Sequence, residues 1–187
     1  MLFLMIFACS DKTDTDDIDG VDTSSLSKIE ECETFEDTDG SVYPREAATA
    51  YAWGEYIING SSITGTEKIY LLPTDAWENE VSSQPDWEDC ELVWAISAEE
   101  VDPTVGNYAL SVTATFQAGQ STCPDFAIEM YDDDFTSTYN IELADDGTST
   151  WYYASSGNQF GVGTHTATSL NFLSDPVCES IGNVQTQ

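Results

Sequence analysis

The segment from Tyr108 to Phe116 constrains the fold more than any other, because apolar and polar residues alternate along it. Its apolar side chains fall on one face of an extended chain and its serine and threonines on the other, which is the pattern of a half-buried β-strand. The same alternation occurs at Leu92/Trp94/Ile96, Phe126/Ile128/Met130 and Tyr139/Ile141/Leu143, and less regular runs cover residues 51–58, 68–72, 150–154 and 169–173. The sequence therefore predicts about eight strands.

Turn-forming residues separate these runs. Asn59-Gly60, Asp102-Pro103 and Asp145-Asp146-Gly147 are typical of tight connections, the last at hairpin distance. Short connections between neighbouring strands predict an all-β domain, an antiparallel up-and-down meander that closes as a barrel or folds as a β-sandwich. A short helix competes with a strand at Ala47–Trp53.

The predicted strand arrangement over residues 50–175 is similar to that of lipocalin-like barrels, some of which are bacterial lipoproteins. The local similarity is Trp53 on the first predicted strand. Lipocalins have a glycine two residues before this tryptophan, whereas this chain has Tyr51 there and Gly54 after it. The resemblance implies a barrel with an interior site for a small apolar ligand, and the β-sandwich stays open as the other architecture.

Four cysteines lie within the predicted domain, at Cys32, Cys90, Cys123 and Cys178. An even number of cysteines spread along an exported chain predicts two disulfides. The predicted strands bring Cys90 close to Cys123 and leave Cys32 for Cys178, although the sequence alone permits three pairings. None of these cysteines has the short spacing that a zinc site prefers.

The N-terminus is an apolar run that ends at Cys9, after which the chain becomes polar and acidic. The residues Ile6-Phe7-Ala8-Cys9 resemble the lipobox of bacterial lipoproteins. This resemblance implies a signal peptide over residues 1–8, lipid attached to Cys9, and a location in the cell envelope, at the outer membrane or cell surface of a bacterium. No Lys or Arg precedes the run and the run is short, and a translation start upstream of Met1 would explain both features. The alternative is a short apolar N-terminus that packs on the domain.

Residues 9–28 are rich in Asp, Thr and Ser and poor in large apolar side chains. Such a segment buries too little surface to offset the entropy cost of ordering, so we predict a flexible acidic tether. Residues 29–187 regain aromatic and β-branched residues and have the length of a single β-domain.

The chain has a formal net charge of −31, from 35 acidic and four basic residues. A field of this sign repels nucleic acid, so we predict no nucleic-acid partner. It attracts divalent cations and basic partners, and it keeps a protein soluble in salty water.

Catalytic motifs are not found in the sequence. His165 is the single histidine, within a glycine-rich stretch, so a Ser-His-Asp or Cys-His site has to use it. We therefore predict that the protein is not an enzyme, with a glycoside hydrolase that uses paired carboxylates as the alternative.

Calcium is the metal that the acidic segments favour, because a hard divalent cation binds clustered oxygen ligands. The segment Phe35–Glu46 matches an EF-hand loop at Asp37, Asp39 and Glu46, but Phe35 stands where the first ligand is required. The acidic runs 14–22 and 132–134 are further candidates. We predict no obligatory cofactor and keep calcium as a hypothesis.

Aromatic residues give candidate binding sites at Trp77, Trp87 and Trp151. Trp77 and Trp87 flank a proline-containing segment, and in Trp151-Tyr152-Tyr153 at least one ring is expected to face outward. Exposed rings beside carboxylates stack on glycans or anchor a protein partner.

The sequence leaves two candidate functions. The first is an anchored module that binds a small apolar ligand, a glycan or a protein; an interior left hollow by small residues such as Ala114 favours it. The second is a structural or shielding lipoprotein, favoured by a barrel filled by Trp94, Phe116, Met130 and Tyr139.

Overall fold

The computed structural model describes residues 25–29, 34–36, 42–44, 48–73 and 88–179. Eleven strands and one helix are present in these ranges: β1 (Thr34–Glu36), β2 (Val42–Pro44), β3 (Ala48–Asn59), β4 (Ser62–Pro73), β5 (Cys90–Glu100), β6 (Tyr108–Phe116), α1 (Asp125–Tyr131), β7 (Phe135–Leu143), β8 (Thr148–Tyr153), β9 (Gln159–Thr164), β10 (Ser169–Ser174) and β11 (Val177–Glu179). None of the described helices is long and apolar enough to cross a membrane.

Strands β3 to β10 form a closed antiparallel barrel in which each strand pairs with its neighbour in sequence. Pairing of β10 with β3 closes the barrel, in register from Ser169 opposite Ile57 to Leu173 opposite Trp53. The all-β meander is thus confirmed, and the architecture is a barrel rather than a sandwich. It matches the barrel that the resemblance to lipocalin-like proteins implied. Strands β1 and β2 pair with each other outside it.

Strand β11 extends the pairing of β3 beyond β10, with Cys178 opposite Thr49. Asp175 and Pro176 interrupt the ladder between the two strands, and proline has no backbone N–H to donate. At this break the backbone N–H of Ala52 donates instead to the hydroxyl of Ser174, at 2.8 Å.

Seven of the eight predicted runs overlap barrel strands, but the run Phe126–Met130 is wrong, because it lies in α1. Pro124 caps the helix N-terminus with a φ of −64°, and Asp125 stands in the first turn. Ala127 is fully buried and Ile128 packs against the core. The helix therefore covers apolar core residues with one of its faces. Alternation of apolar residues over only five positions could not distinguish this short helix from a strand.

The helix considered at Ala47–Trp53 is wrong over its described part, which belongs to β3. Pairing with β4 on one side and with β10 and β11 on the other outweighs the helix propensity of its alanines. Strand β9 was missed, because Gly161 and Gly163 make its sequence a poor strand former.

Apolar side chains from all eight barrel strands and from α1 form one core. The helix lies at the end of the barrel where β5 begins. There the predicted Cys90–Cys123 disulfide is confirmed, with 4.9 Å between the Cα atoms. Cys178 is also disulfide-bonded, but its predicted partner Cys32 lies outside the described residues.

A second, smaller cluster covers the outer face of β3 and β4. Tyr51, Tyr70 and Leu72 are buried there, with Leu26 and Trp53 packed against them. The Tyr51 hydroxyl donates to the carbonyl of Ser27 at 2.7 Å. Part of the predicted tether thus contacts the barrel, and Trp53 does not belong to the interior.

Glycines in β9 let side chains of β8 reach β10. The carbonyl oxygen of Asn171 accepts hydrogen bonds from Ser149 Oγ and Trp151 Nε1, both at 3.0 Å. A β-carbon on Gly163 would lie 2.0 Å from that oxygen. The absence of a side chain at Gly163 is therefore a requirement of this contact.

We expect Gly163→Ala to lower the free energy of unfolding by about 2 to 3 kcal/mol, because it forces β9 away from Asn171. Gly119→Ala is the matched control, since a β-carbon there meets no atom within 4 Å. Urea-induced unfolding of both variants measures the difference. Equal stability of the two variants would contradict this account of the contact.

Candidate functional site in the barrel interior

Glu67 is an acidic residue whose side chain faces the barrel interior. It lies on β4 opposite Gly54 of β3 and Trp94 of β5. Its neighbours on the same face include Ile69 and Leu71, and Glu67 itself is 8% exposed. Removing a carboxylate from water is costly unless hydrogen bonds or a counter-charge compensate it. The neighbours of Glu67 therefore determine whether its side chain is ionised or neutral.

Two tyrosines from other strands reach the carboxyl group of Glu67. The hydroxyl of Tyr56, on β3, donates to Oε1, and the hydroxyl of Tyr139, on β7, donates to Oε2 at 3.4 Å. Strands β4 and β7 are not neighbours in the sheet, so the second bond crosses the interior. Glu67 is therefore the polar centre of a core whose described side chains are mostly apolar.

Further aromatic rings pack against the two tyrosines that contact Glu67. Trp151 stacks on Tyr56 with ring centroids 5.3 Å apart and lies 4.8 Å from Phe172. Phe160 lies 5.1 Å from Tyr139. We call the set the aromatic cage: Tyr56, Tyr139, Trp151, Tyr153, Phe160 and Phe172.

The cage needs room that a glycine provides. A β-carbon on Gly54 would lie 2.3 Å from the ring of Phe172. The ring of Phe172 thus occupies the space that a larger residue on β3 would fill. This places Phe172 in contact with Trp151 and completes the wall of rings on that side.

Burial raises the pKa of Glu67 from 4.5 to about 7, although the hydrogen bonds from Tyr56 and Tyr139 act in the opposite direction. Burial also raises the pKa of both tyrosines, and the charge of Glu67 adds to it. For Tyr153 the same two causes raise the pKa to about 12. The three phenols are therefore neutral, and Glu67 carries the titration of the site near neutral pH.

No cation compensates Glu67 among the described residues. Lys68 points to the outer face and pairs with Glu91 at 2.8 Å, and Lys28 is exposed. His165 Nε2 bonds the carbonyl of Ala144 at 2.8 Å and joins two turns at the barrel end. An ionised Glu67 is thus a buried negative charge held by hydrogen bonds alone in the part of the chain that is described.

Of the three tryptophans proposed for binding, Trp151 is fully buried in the cage. The outward ring expected in this segment is that of Tyr152, whose hydroxyl donates to Glu142 at 3.3 Å. A ring buried in this way cannot stack on a glycan at the protein surface. Trp77 and Trp87 lie outside the described residues.

The metal candidates Asp37, Asp39 and Glu46 also lie outside the described residues, as does Cys9. In the acidic run that follows α1, Asp134 Oδ1 accepts a hydrogen bond from the backbone N–H of Phe116 at 2.8 Å. The described ranges contain no group of three or more His, Cys, Asp or Glu placed to hold a metal ion. Calcium binding stays a prediction.

Paired carboxylates, which the glycosidase alternative requires, are not assembled around Glu67 by the described residues. Glu67 is the one acidic residue among their buried polar side chains. A glycosidase needs a second carboxyl within several ångströms of the first.

The sequence pattern does not identify Glu67, because the irregular apolar run at residues 68–72 predicts a strand that begins after it. The signal was present nonetheless, since Glu67 falls on the same alternate positions as Ile63, Ile69 and Leu71. One acid on an apolar face marks a buried polar site. Its partners, however, come from β3, β7 and β8, and no local pattern identifies them.

Comparison with known proteins gave no match to any protein-family model, curated protein or solved structure.

The pH dependence of stability tests the burial of Glu67. Its folded-state pKa of about 7 exceeds the ordinary 4.5, so folding takes up a proton between these values. The contribution to stability is full below about pH 4.5 and is lost as pH rises through about 7, by about 3 kcal/mol in total. We expect Glu67→Gln to lack this loss and to become more stable than the wild type at about pH 8.

Urea unfolding across this pH range measures both curves. Glu99→Gln, at an exposed position on β5, is the control for removing one negative charge and should follow the wild-type curve. Parallel curves for the wild type and Glu67→Gln would show that Glu67 does not titrate in this window.

Proposed function

We propose that the protein is a lipid-anchored binding module of the bacterial cell envelope, whose barrel interior takes a small ligand beside Glu67. The observation that supports it most is a buried carboxyl group that has no counter-charge from the described residues and accepts hydrogen bonds from two of the six residues of the aromatic cage. Ligand sites in proteins combine mostly apolar walls with a few convergent polar groups. The interior has this composition.

The proposed anchor is Cys9. Its support is the lipobox-like sequence Ile6–Cys9, followed by the acidic segment predicted as a tether. The confirmed Cys90–Cys123 disulfide fits a protein of an oxidising compartment, because disulfides persist outside the reducing cytosol.

The shielding function stays as the second candidate, because one observation favours it. Trp94 and Tyr139 are buried inside the barrel, as a filled interior requires, and the cage rings contact each other. Phe116 is half-buried beside Trp94, and Met130 belongs to α1 instead of a barrel strand. Ala114, the small residue named above as favouring a hollow interior, is fully buried in the core.

Native mass spectrometry distinguishes the two functions. The full chain is made as Cys9→Ser, which prevents lipidation, and is exported to an oxidising compartment. It is incubated with a small-molecule extract of the producing cells, and its native mass is compared with its denatured mass. We expect a native excess equal to one small organic molecule, and a smaller bound fraction in Glu67→Gln. Equal native and denatured masses would contradict interior binding and support the shielding function.

A further inference from the structure

We propose that the barrel has a pH-dependent opening between β9 and β10, through which water reaches Glu67 when its carboxyl group loses a proton to the solvent. The opening is a property of the fold and requires neither the anchor nor the ligand of the proposed function. Three features favour it: an interruption in the pairing of β10, the position of Phe172, and the absence of a counter-charge for Glu67 among the described residues.

Backbone pairing between β9 and β10 is interrupted in the middle of β10. Residues 173–174 pair with β9, and Leu170 forms an isolated bridge nearer the turn. Between them, the carbonyl oxygen of Asn171 bonds side chains of β8 instead. The Asn171 side chain makes the contact with β9, because its Oδ1 accepts from the backbone N–H of Thr164 at 2.8 Å and its Nδ2 donates to the Thr164 hydroxyl at 2.9 Å. Side chains thus replace the backbone ladder at this point of the wall.

Phe172 lies in this interruption and in the same row of the sheet as Glu67. It is opposite Gly54 of β3, and Gly54 is opposite Glu67 of β4. The ring of Phe172 occupies the space that a side chain on Gly54 would fill. If this ring is displaced, no side chain remains in the row between β10 and Glu67.

Strand β9 contributes little to hold this part of the wall closed. Gly161 and Gly163 have no side chains to pack, and glycine weakens a strand. The ring of Phe160 contacts that of Phe172, with centroids 5.1 Å apart, and this contact is lost when the strands separate. Within the barrel we therefore expect local opening to require the least free energy between β9 and β10.

The charge of Glu67 favours the open state. Tyrosines on three strands face the carboxyl group: Tyr56 on β3, Tyr139 on β7 and Tyr153 on β8. Burial raises the pKa of all three, so they stay neutral, and β5, β9 and β10 contribute uncharged rings. Lys68 pairs with Glu91 on the outer face. An ionised carboxyl group without a counter-charge is stabilised by any conformation that admits water, whereas a protonated one is not.

The pH range of the opening follows from the two states of Glu67. In the closed barrel burial raises its pKa to about 7, and in the open barrel hydration returns it toward the ordinary 4.5. The ratio of open to closed barrels should therefore rise with pH between these values, by up to about tenfold per pH unit, and should level off above about pH 7.

A second shielded carboxyl group lies elsewhere. Glu179 on β11 accepts a hydrogen bond from Tyr131 of α1 at 3.2 Å, and burial raises its pKa as well. It is opposite Ala48, at the end of the barrel that α1 covers. Its ionisation should change the exchange of amides in α1 and β11, not of those in β9 and β10.

Hydrogen exchange of the full Cys9→Ser chain tests the opening, with each amide rate corrected for the intrinsic pH dependence of exchange. We expect the protection of β9 and β10 amides to fall at least about tenfold between about pH 5 and about pH 8. Exchange there should respond less to low urea concentrations than exchange in β6, because a local opening exposes little surface. Glu67→Gln should abolish the fall, and Glu99→Gln, at an exposed position, should retain it.

Two results would overturn the inference. Equal protection and equal urea dependence in β10 and β6 would show that the amides of β10 exchange through global unfolding alone. A fall that persists in Glu67→Gln would assign it to another group. If Glu67→Gln does not fold, the wild-type profile decides: a fall that levels off above about pH 7 and stays confined to β9 and β10 supports the opening, and a flat profile overturns it. The native-mass excess tests the proposed function separately, since a closed barrel and an opening one can each bind or lack a ligand.

Discussion

A carboxyl group removed from water must keep hydrogen-bond partners or acquire a counter-charge, and the interior of this barrel is arranged around one such group. Closure of β10 onto β3 removes water from Glu67, and the hydroxyls of Tyr56 and Tyr139 replace part of its hydration. Those two bonds satisfy both oxygens but carry no charge. The site is thus stable as a neutral acid, whereas an ionised Glu67 has no counter-charge among the described residues.

Small residues in the barrel wall make this arrangement possible. Gly54 leaves space for the ring of Phe172, and Gly163 lets the indole of Trp151 reach the carbonyl of Asn171. Each glycine weakens its own strand by lacking a side chain, and the rings that occupy the space contribute packing instead. The weak strand signal of β9 and the contact of Trp151 with Asn171 are therefore two consequences of Gly163.

The local part of this fold could be predicted, because alternation within one segment reports whether one face is buried. Tyr108–Phe116 forms β6 with the bounds that its alternation indicated, and the Cys90–Cys123 disulfide followed from the ends of β5 and β6. Prediction failed where contacts with residues distant in the sequence determine the local conformation or the neighbours of a side chain. Phe126–Met130 becomes helical because it caps a barrel end, and the hydroxyl groups that bond Glu67 come from residues up to 72 positions away in the sequence.

The protonation state of Glu67 tests the central claim most directly. An infrared difference spectrum between the wild type and Glu67→Gln isolates one carboxyl group from the 35 acidic residues, most of which are ionised at about pH 6. The account predicts that the band of a protonated, hydrogen-bonded carboxyl is present at that pH and disappears with a midpoint near 7. A midpoint near 4.5, the ordinary value of a solvated glutamate, would contradict it.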